Sequence, residues 1–131
     1  MLVGEGMKIQ VSALDRLFSK YIRLRAGGIC ERCGTQTNRL ETSHFHGRRK
    51  RSVRWNPENA CALCFACHRH LTENPLEHTE FFLKRLGQER FDLLNMQAQQ
   101  IFKVDIEAET LYLKEKLKDF TWENLVEKTI E

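Results

Sequence analysis

The chain has no apolar run of about 18 residues, which excludes a transmembrane helix. Its first residues, Met1 to Gln10, lack a basic stretch followed by an apolar core, so no secretory signal peptide is expected. There is no internal repeat and no low-complexity segment, which argues against a stacked-repeat architecture. Cysteines number five, an odd count, and without a secretion signal a disulfide framework is not expected. A reducing cytoplasm is the expected setting.

What is present is 131 residues, enough for one domain or a small domain with an extension. Net charge is +3, unevenly spread. From Asp105 onward eight acids oppose four bases, so that segment is −4 and residues 1–104 carry +7. The densest basic run is Arg48-Arg49-Lys50-Arg51, with Arg54 close by. Such a run suggests a polyanion partner, although charge alone fits a solvated loop equally well.

Periodicity predicts the elements. Ser12 reads as an N-cap, followed by Leu14, Leu17, Phe18, Tyr21 and Leu24 at helical spacing, with Gly27-Gly28 as the stop. Gly4 and Gly6 suggest a flexible lead-in over residues 1–11. Leu40 to His46 reads as a short strand, residues 47–53 as a loop, and Asn56-Pro57-Glu58-Asn59 as a turn. A helix is predicted from near Cys64 to about Leu71. Asn74-Pro75 reads as the cap and first residue of another, with Leu76, Thr79, Phe82, Leu83 and Leu86 as its stripe and Gly87 at its end. Phe91, Leu94, Ala98 and Ile101 mark a further helix. Asp105 is placed as the cap of one more, with Ile106, Leu113, Leu117 and Phe120 inward, and a short last helix holds Trp122, Leu125 and Val126.

The cysteines carry the first chemistry. Cys30 and Cys33 form one C-x2-C pair, and the run Cys61, Cys64, Cys67 offers a second, with thirty residues between Cys33 and Cys64. Zinc takes four thiolates in a tetrahedron, and two matched pairs supply them. Spacing alone leaves open whether Cys61 and Cys64 or Cys64 and Cys67 complete the set.

Between and after these pairs lie Ser43-His44-Phe45-His46, Asn59 and, directly after Cys67, His68. A histidine on a strand, an asparagine fifteen residues later and a histidine beside the second cysteine pair resembles the HNH, or ββα-metal, nuclease pattern. The stretches Leu17 to Arg25, Gly28 to Gly34 and Ser43-His44-Phe45, with Arg48, Arg54-Trp55-Asn56 and Asn59, resemble the phage NinG (Rap) recombination proteins. The resemblance covers roughly Leu14 to Leu94 and implies action on branched DNA such as Holliday junctions, in the host cytoplasm if the chain is phage-encoded. It also selects Cys64 and Cys67, leaving Cys61 as a small buried residue.

The implied fold is α+β: a small zinc-stapled, treble-clef-like core over residues 12–72 with a leading helix, and a helical extension over 73–131 packed on it. The implied function is a metal-dependent DNA endonuclease. His44 would be the general base, since an imidazole titrates near neutral pH. Asn59 and His68 complete the catalytic set. His46, Asn59 and His68 are candidate ligands for Mg²⁺ or Mn²⁺, His44 and His46 sharing one strand face by their spacing of two. Asn59 could instead hydrogen-bond the loop, and His46 could contact phosphate. Many HNH sites carry an acid or a second histidine just before the first histidine, and Ser43 stands there. Either His46 substitutes or the ion is held weakly. Arg48, Arg49, Lys50, Arg51 and Arg54 are the expected phosphate contacts. Trp55 reads as core rather than a base-stacking platform, and His70 and His78 as structural. The acidic extension is suited to a second copy or a recombination-protein partner rather than DNA. The competing reading is a non-catalytic zinc module that binds DNA or serves as a recombination adaptor.

Overall fold

The computed structural model describes the backbone of residues 2–130 and the side chains of residues 11–118 and of Phe120. Helix α1 spans Leu2–Arg25. Its inward stripe is Leu14, Phe18 and Ile22, one residue per turn, all buried. Gly27 and Gly28, at φ of 64° and 79°, stop it in the left-handed region that costs glycine little. The expected start at Ser12 is corrected. Ser12 lies inside α1, because a glycine costs a helix only about 1 kcal/mol against alanine and nothing else before Ser12 breaks the turn. Residues 2–11 are helical in backbone.

Strand β1, Glu41–His44, is shorter than the predicted span and pairs antiparallel with β2, Ala60–Leu63. The register sets Glu41 opposite Leu63, Ser43 opposite Cys61 and His44 opposite Ala60. All four β2 residues are buried, so β2 has no alternation to announce it. Arg25 donates to the carbonyls of Pro57 (3.0 Å) and Ala60 (2.8 Å), fixing the end of α1 to the entry of β2.

Helix α2, Phe65–Glu73, follows directly, then α3, Pro75–Leu86, and α4, Gln88–Gln99. Asn74 does not cap α3 with its side chain; its Nδ2 donates instead to the His70 carbonyl (2.7 Å), closing α2. Gly87, at φ 84°, separates α3 from α4. Ile101 is fully exposed, outside α4, because the helix ends at Gln99. Helix α5 spans Ile106–Ile130, and Asp105 Oδ1 caps it by accepting from the Ala108 amide (3.0 Å). With no glycine or proline to interrupt it, α5 replaces the two helices expected there; the side chains of Trp122, Leu125 and Val126 lie outside the described residues.

Leu14, Phe18, Val53, Trp55 and the β2 residues share one buried cluster with Phe82, Phe91, Leu94 and Leu113. Phe45 ties the halves together, its ring 5.1 Å from Phe82 and 5.3 Å from Phe91. Each fully buried large side chain contributes about 1.5–3 kcal/mol. Among the described residues no helix is long and apolar enough to cross a membrane.

Candidate metal centre and histidine site

The Cys30–Cys33 turn is closed by Cys30 N–H to Thr35 O (2.9 Å) and Gly34 N–H to Cys30 O (2.9 Å). Gly34 takes φ 77°, which a side chain would strain. Glu31 staples this turn to the fold: its N–H donates to Ala62 O (3.0 Å) and its Oε2 accepts from Ala62 N–H (2.6 Å). Its Oε1 accepts from Arg85 of α3 (2.7 Å). Cys64 is the N-cap residue of α2 and Cys67 lies in its first turn.

The Sγ atoms of Cys30, Cys33, Cys64 and Cys67 all lie within 4.8 Å of one another, and Cys33 and Cys64 are 3.8 Å apart. Zinc–sulfur bonds of about 2.3 Å at tetrahedral angles put sulfurs ~3.8 Å apart, so the set fits a structural zinc. Arg32 reaches Cys67 Sγ (3.3 Å), placing a cation beside the thiolate charge such a site carries. Cys61 stays out: it is buried in β2, where burial pushes its thiol up to about 12.

The histidines separate. Even-numbered β1 residues face α1. Thr42 Oγ1 lies 2.7 Å from Ser19 Oγ, and the His44 ring is 5.6 Å from that of Phe18. Burial first, then Arg48, holds His44 below the usual imidazole range, so it is neutral at pH 7 and able to accept a proton. His68 Nδ1 pairs with Glu41 Oε1 (2.8 Å), on the other strand face. His46 Nε2 pairs with Asn95 Oδ1 of α4 (2.8 Å). The expectation that His44 and His46 share a face is corrected: β1 ends at His44 and the chain bends, so strand alternation stops there. His78 sits against Phe45 (5.4 Å) and Phe82 (5.3 Å), while exposed His70 pairs with Glu77.

Asn59 is fully buried and committed to backbone. Its Oδ1 accepts from His46 N–H (2.8 Å), and its Nδ2 donates to His46 O (2.9 Å). It holds the turn after β1 rather than facing an ion. In the expected divalent set, His46 is bonded to Asn95, Asn59 to the His46 backbone and His68 to Glu41. Among the described residues the four cysteines are the only cluster of three or more His, Cys, Asp or Glu donors.

Arg48, Arg49, Lys50 and Arg51 are exposed. The loop bearing them is pinned by buried Val53 and by Ser52 Oγ donating to Gln97 O (2.7 Å). Arg54 is different: its guanidinium donates to both oxygens of Asp15 (3.2 and 2.6 Å), and Trp55 Nε1 donates to the same carboxylate (2.9 Å). Arg54 is thus spent on structure rather than on phosphate, and Trp55 is core as expected. Asp15 escaped sequence reasoning; its one mark was a lone acid flanking the apolar stripe of α1.

Burial opposes ionisation of Asp15, but Arg54 and Trp55 outweigh it and hold the carboxyl below its usual value. A depressed carboxyl contributes stability above its unfolded pKa of about 4, lost as pH falls through the folded value. Replacing Asp15 with Asn should flatten this acid limb of the stability curve. D15A should cost roughly 2–4 kcal/mol at neutral pH, since it strands two donors. Urea unfolding across acidic pH checks both; an unchanged acid limb would refute the assignment.

The model of a family described as NinG, the bacteriophage lambda NinG protein, matches residues 7–123. No curated protein and no solved structure matches the chain significantly.

Proposed function

Starting from a chain that belongs to the NinG family, we propose that it is a zinc-stapled DNA endonuclease that hydrolyses phosphodiester bonds, acting on branched recombination intermediates. The observation that carries this reading is His44: a half-buried, neutral imidazole on a rigid strand, next to the exposed bases of the 48–51 loop. In the reaction, His44 takes a proton from water as the water oxygen bonds to phosphorus, and the ester oxygen departs with a proton taken from solvent. Arg48, Arg49 and Arg51 hold the phosphate oxygens and offset their charge. Asn59 positions the turn after His44. Zinc, held by four sulfurs, supplies rigidity to the fold. His46 and His68 would be the donors for Mg²⁺ or Mn²⁺, which would offset phosphate charge when bound, and no step is routed through such an ion.

The test is incubation of the zinc-loaded protein with Mg²⁺ or Mn²⁺ and either a four-way junction or a linear duplex of matched sequence. Strand cleavage, faster on the junction, is expected on a denaturing gel. Binding without cleavage would favour the second reading, a non-catalytic DNA-binding module. One observation favours that reading: Ser43, where an acidic ligand would stand, is buried opposite Cys61.

The loop makes a separate prediction. Replacing Arg48, Arg49 and Arg51 together with alanine should weaken duplex binding and lower the slope of log affinity against log salt by about 2–3. Titrations at several salt concentrations measure it, and an unchanged slope would remove the loop from the DNA contact.

A further inference from the structure

A cavity of about 650 Å³ lies away from His44, between the basic loop, the end of α4, the connection 100–105 and the first turns of α5. That volume falls within the roughly 300–1,000 Å³ typical of small-molecule sites. Its lining combines Arg51 and Lys103, the amides Asn56 and Gln97, and the rings of Phe102 and Tyr112. Phe102 is 52% exposed and Tyr112 50%, so neither ring is used up in the core. Lys116 Nζ lies 5.6 Å from the Tyr112 ring centroid, adding positive charge beside it. Asn56 Nδ2 and Gln97 Oε1 are 3.4 Å apart, a weak contact, while Asn56 Oδ1 accepts from the Glu58 N–H (2.9 Å).

Exposed rings beside cations and a weakly paired amide couple suit a planar, hydrogen-bonding, uncharged ring attached to an anionic backbone. A phosphate in the cavity itself is disfavoured, because Asp105 and Glu109 also line it. The same acids suit the exocyclic amino groups of bases. Ser52, bonded to Gln97 O, makes the basic loop and the cavity wall continuous, so a strand held on the loop passes the cavity mouth.

We infer that this cavity receives one unpaired nucleobase of a DNA strand held by the basic loop, with Phe102 and Tyr112 as its stacking surfaces. The inference rests on the DNA reading above and gives it a source of preference for branch points, where bases lose their partners.

The test uses the full zinc-loaded chain and two duplexes, one fully paired and one with a single bulged 2-aminopurine. Affinity is read by anisotropy, and stacking by quenching of 2-aminopurine emission. The wild-type protein should bind the bulged duplex about tenfold more tightly and quench its emission. The F102A/Y112A double variant should lose both effects while keeping its circular dichroism and its affinity for the paired duplex. Equal wild-type affinities without quenching would overturn the cavity assignment and leave the DNA reading intact. Absence of binding to either duplex would overturn both. A variant that also loses paired-duplex affinity would mark the rings as a general contact surface and overturn the base site.

Discussion

The purified protein is expected to carry one zinc per chain and to lose its folded circular-dichroism spectrum cooperatively when a chelator removes the metal. The ground is the position of Cys30, Cys33, Cys64 and Cys67, whose sulfurs lie within 4.8 Å of one another. One pair stands on a turn stapled by Glu31 to β2 and α3, the other on the first turn of α2, so the metal joins segments that otherwise meet through a two-stranded sheet. Binding energies for structural zinc run to about 10–16 kcal/mol, as large as the whole stability of an ordinary domain. Four thiols crowded together without the ion would repel on ionising and have little else to bond. Replacing Cys64 with serine should have the same outcome as chelation. Replacing Cys61 with alanine should leave zinc content at one per chain and cost only about 1–2 kcal/mol, the loss of a small buried group. Zinc is read by elemental analysis. A chain that folds unchanged without it would refute the metal centre.

The second large effect is expected at Asn59. Its amide bonds both backbone groups of His46, and its own carbonyl accepts from Phe45 N–H (2.8 Å), so one residue secures the chain where β1 ends. Asn59→Ala leaves a buried N–H and a buried C=O without partners and opens a small void. Each stranded group costs about 1–3 kcal/mol, so a total near 3–5 kcal/mol is expected in urea unfolding. Asn59→Asp should also destabilise, because a carboxylate accepts from His46 N–H but opposes His46 C=O. A loss under about 0.5 kcal/mol would show that Asn59 is not the anchor described.

Much of this was legible in the residues. Leu14 and Phe18 in α1, the glycine stops and the cap at Asp105 follow local rules that tertiary packing did not override, whereas buried Ile22 takes the inward place expected of Tyr21 and Leu24. The metal site was legible as two cysteine pairs, but spacing left Cys61 and Cys67 both open and only the family resemblance selected Cys67. What escaped was decided in three dimensions. β2 is covered on both faces and so shows no alternation. His44 and His46 obey strand spacing only while the strand continues, and a bend after His44 parts them. Arg54 belongs by sequence to the basic run, but a carboxylate thirty-nine residues away claims it. Asn59 had two roles open to it, and burial decides for the backbone. The cavity beside Phe102 and Tyr112 draws its walls from four separate segments, which no local pattern announces.

The central claim, that His44 acts as the base in DNA cleavage, is tested most directly by single-turnover cleavage of a four-way junction. The wild-type protein is compared with a His44→Ala variant shown to hold equal zinc and the same circular dichroism. The account predicts a fall of about 10²-fold or more in the variant. It also predicts a wild-type rate that rises with pH through a midpoint below that of an ordinary histidine, since burial holds His44 neutral. Undiminished cleavage by the His44→Ala variant would contradict it.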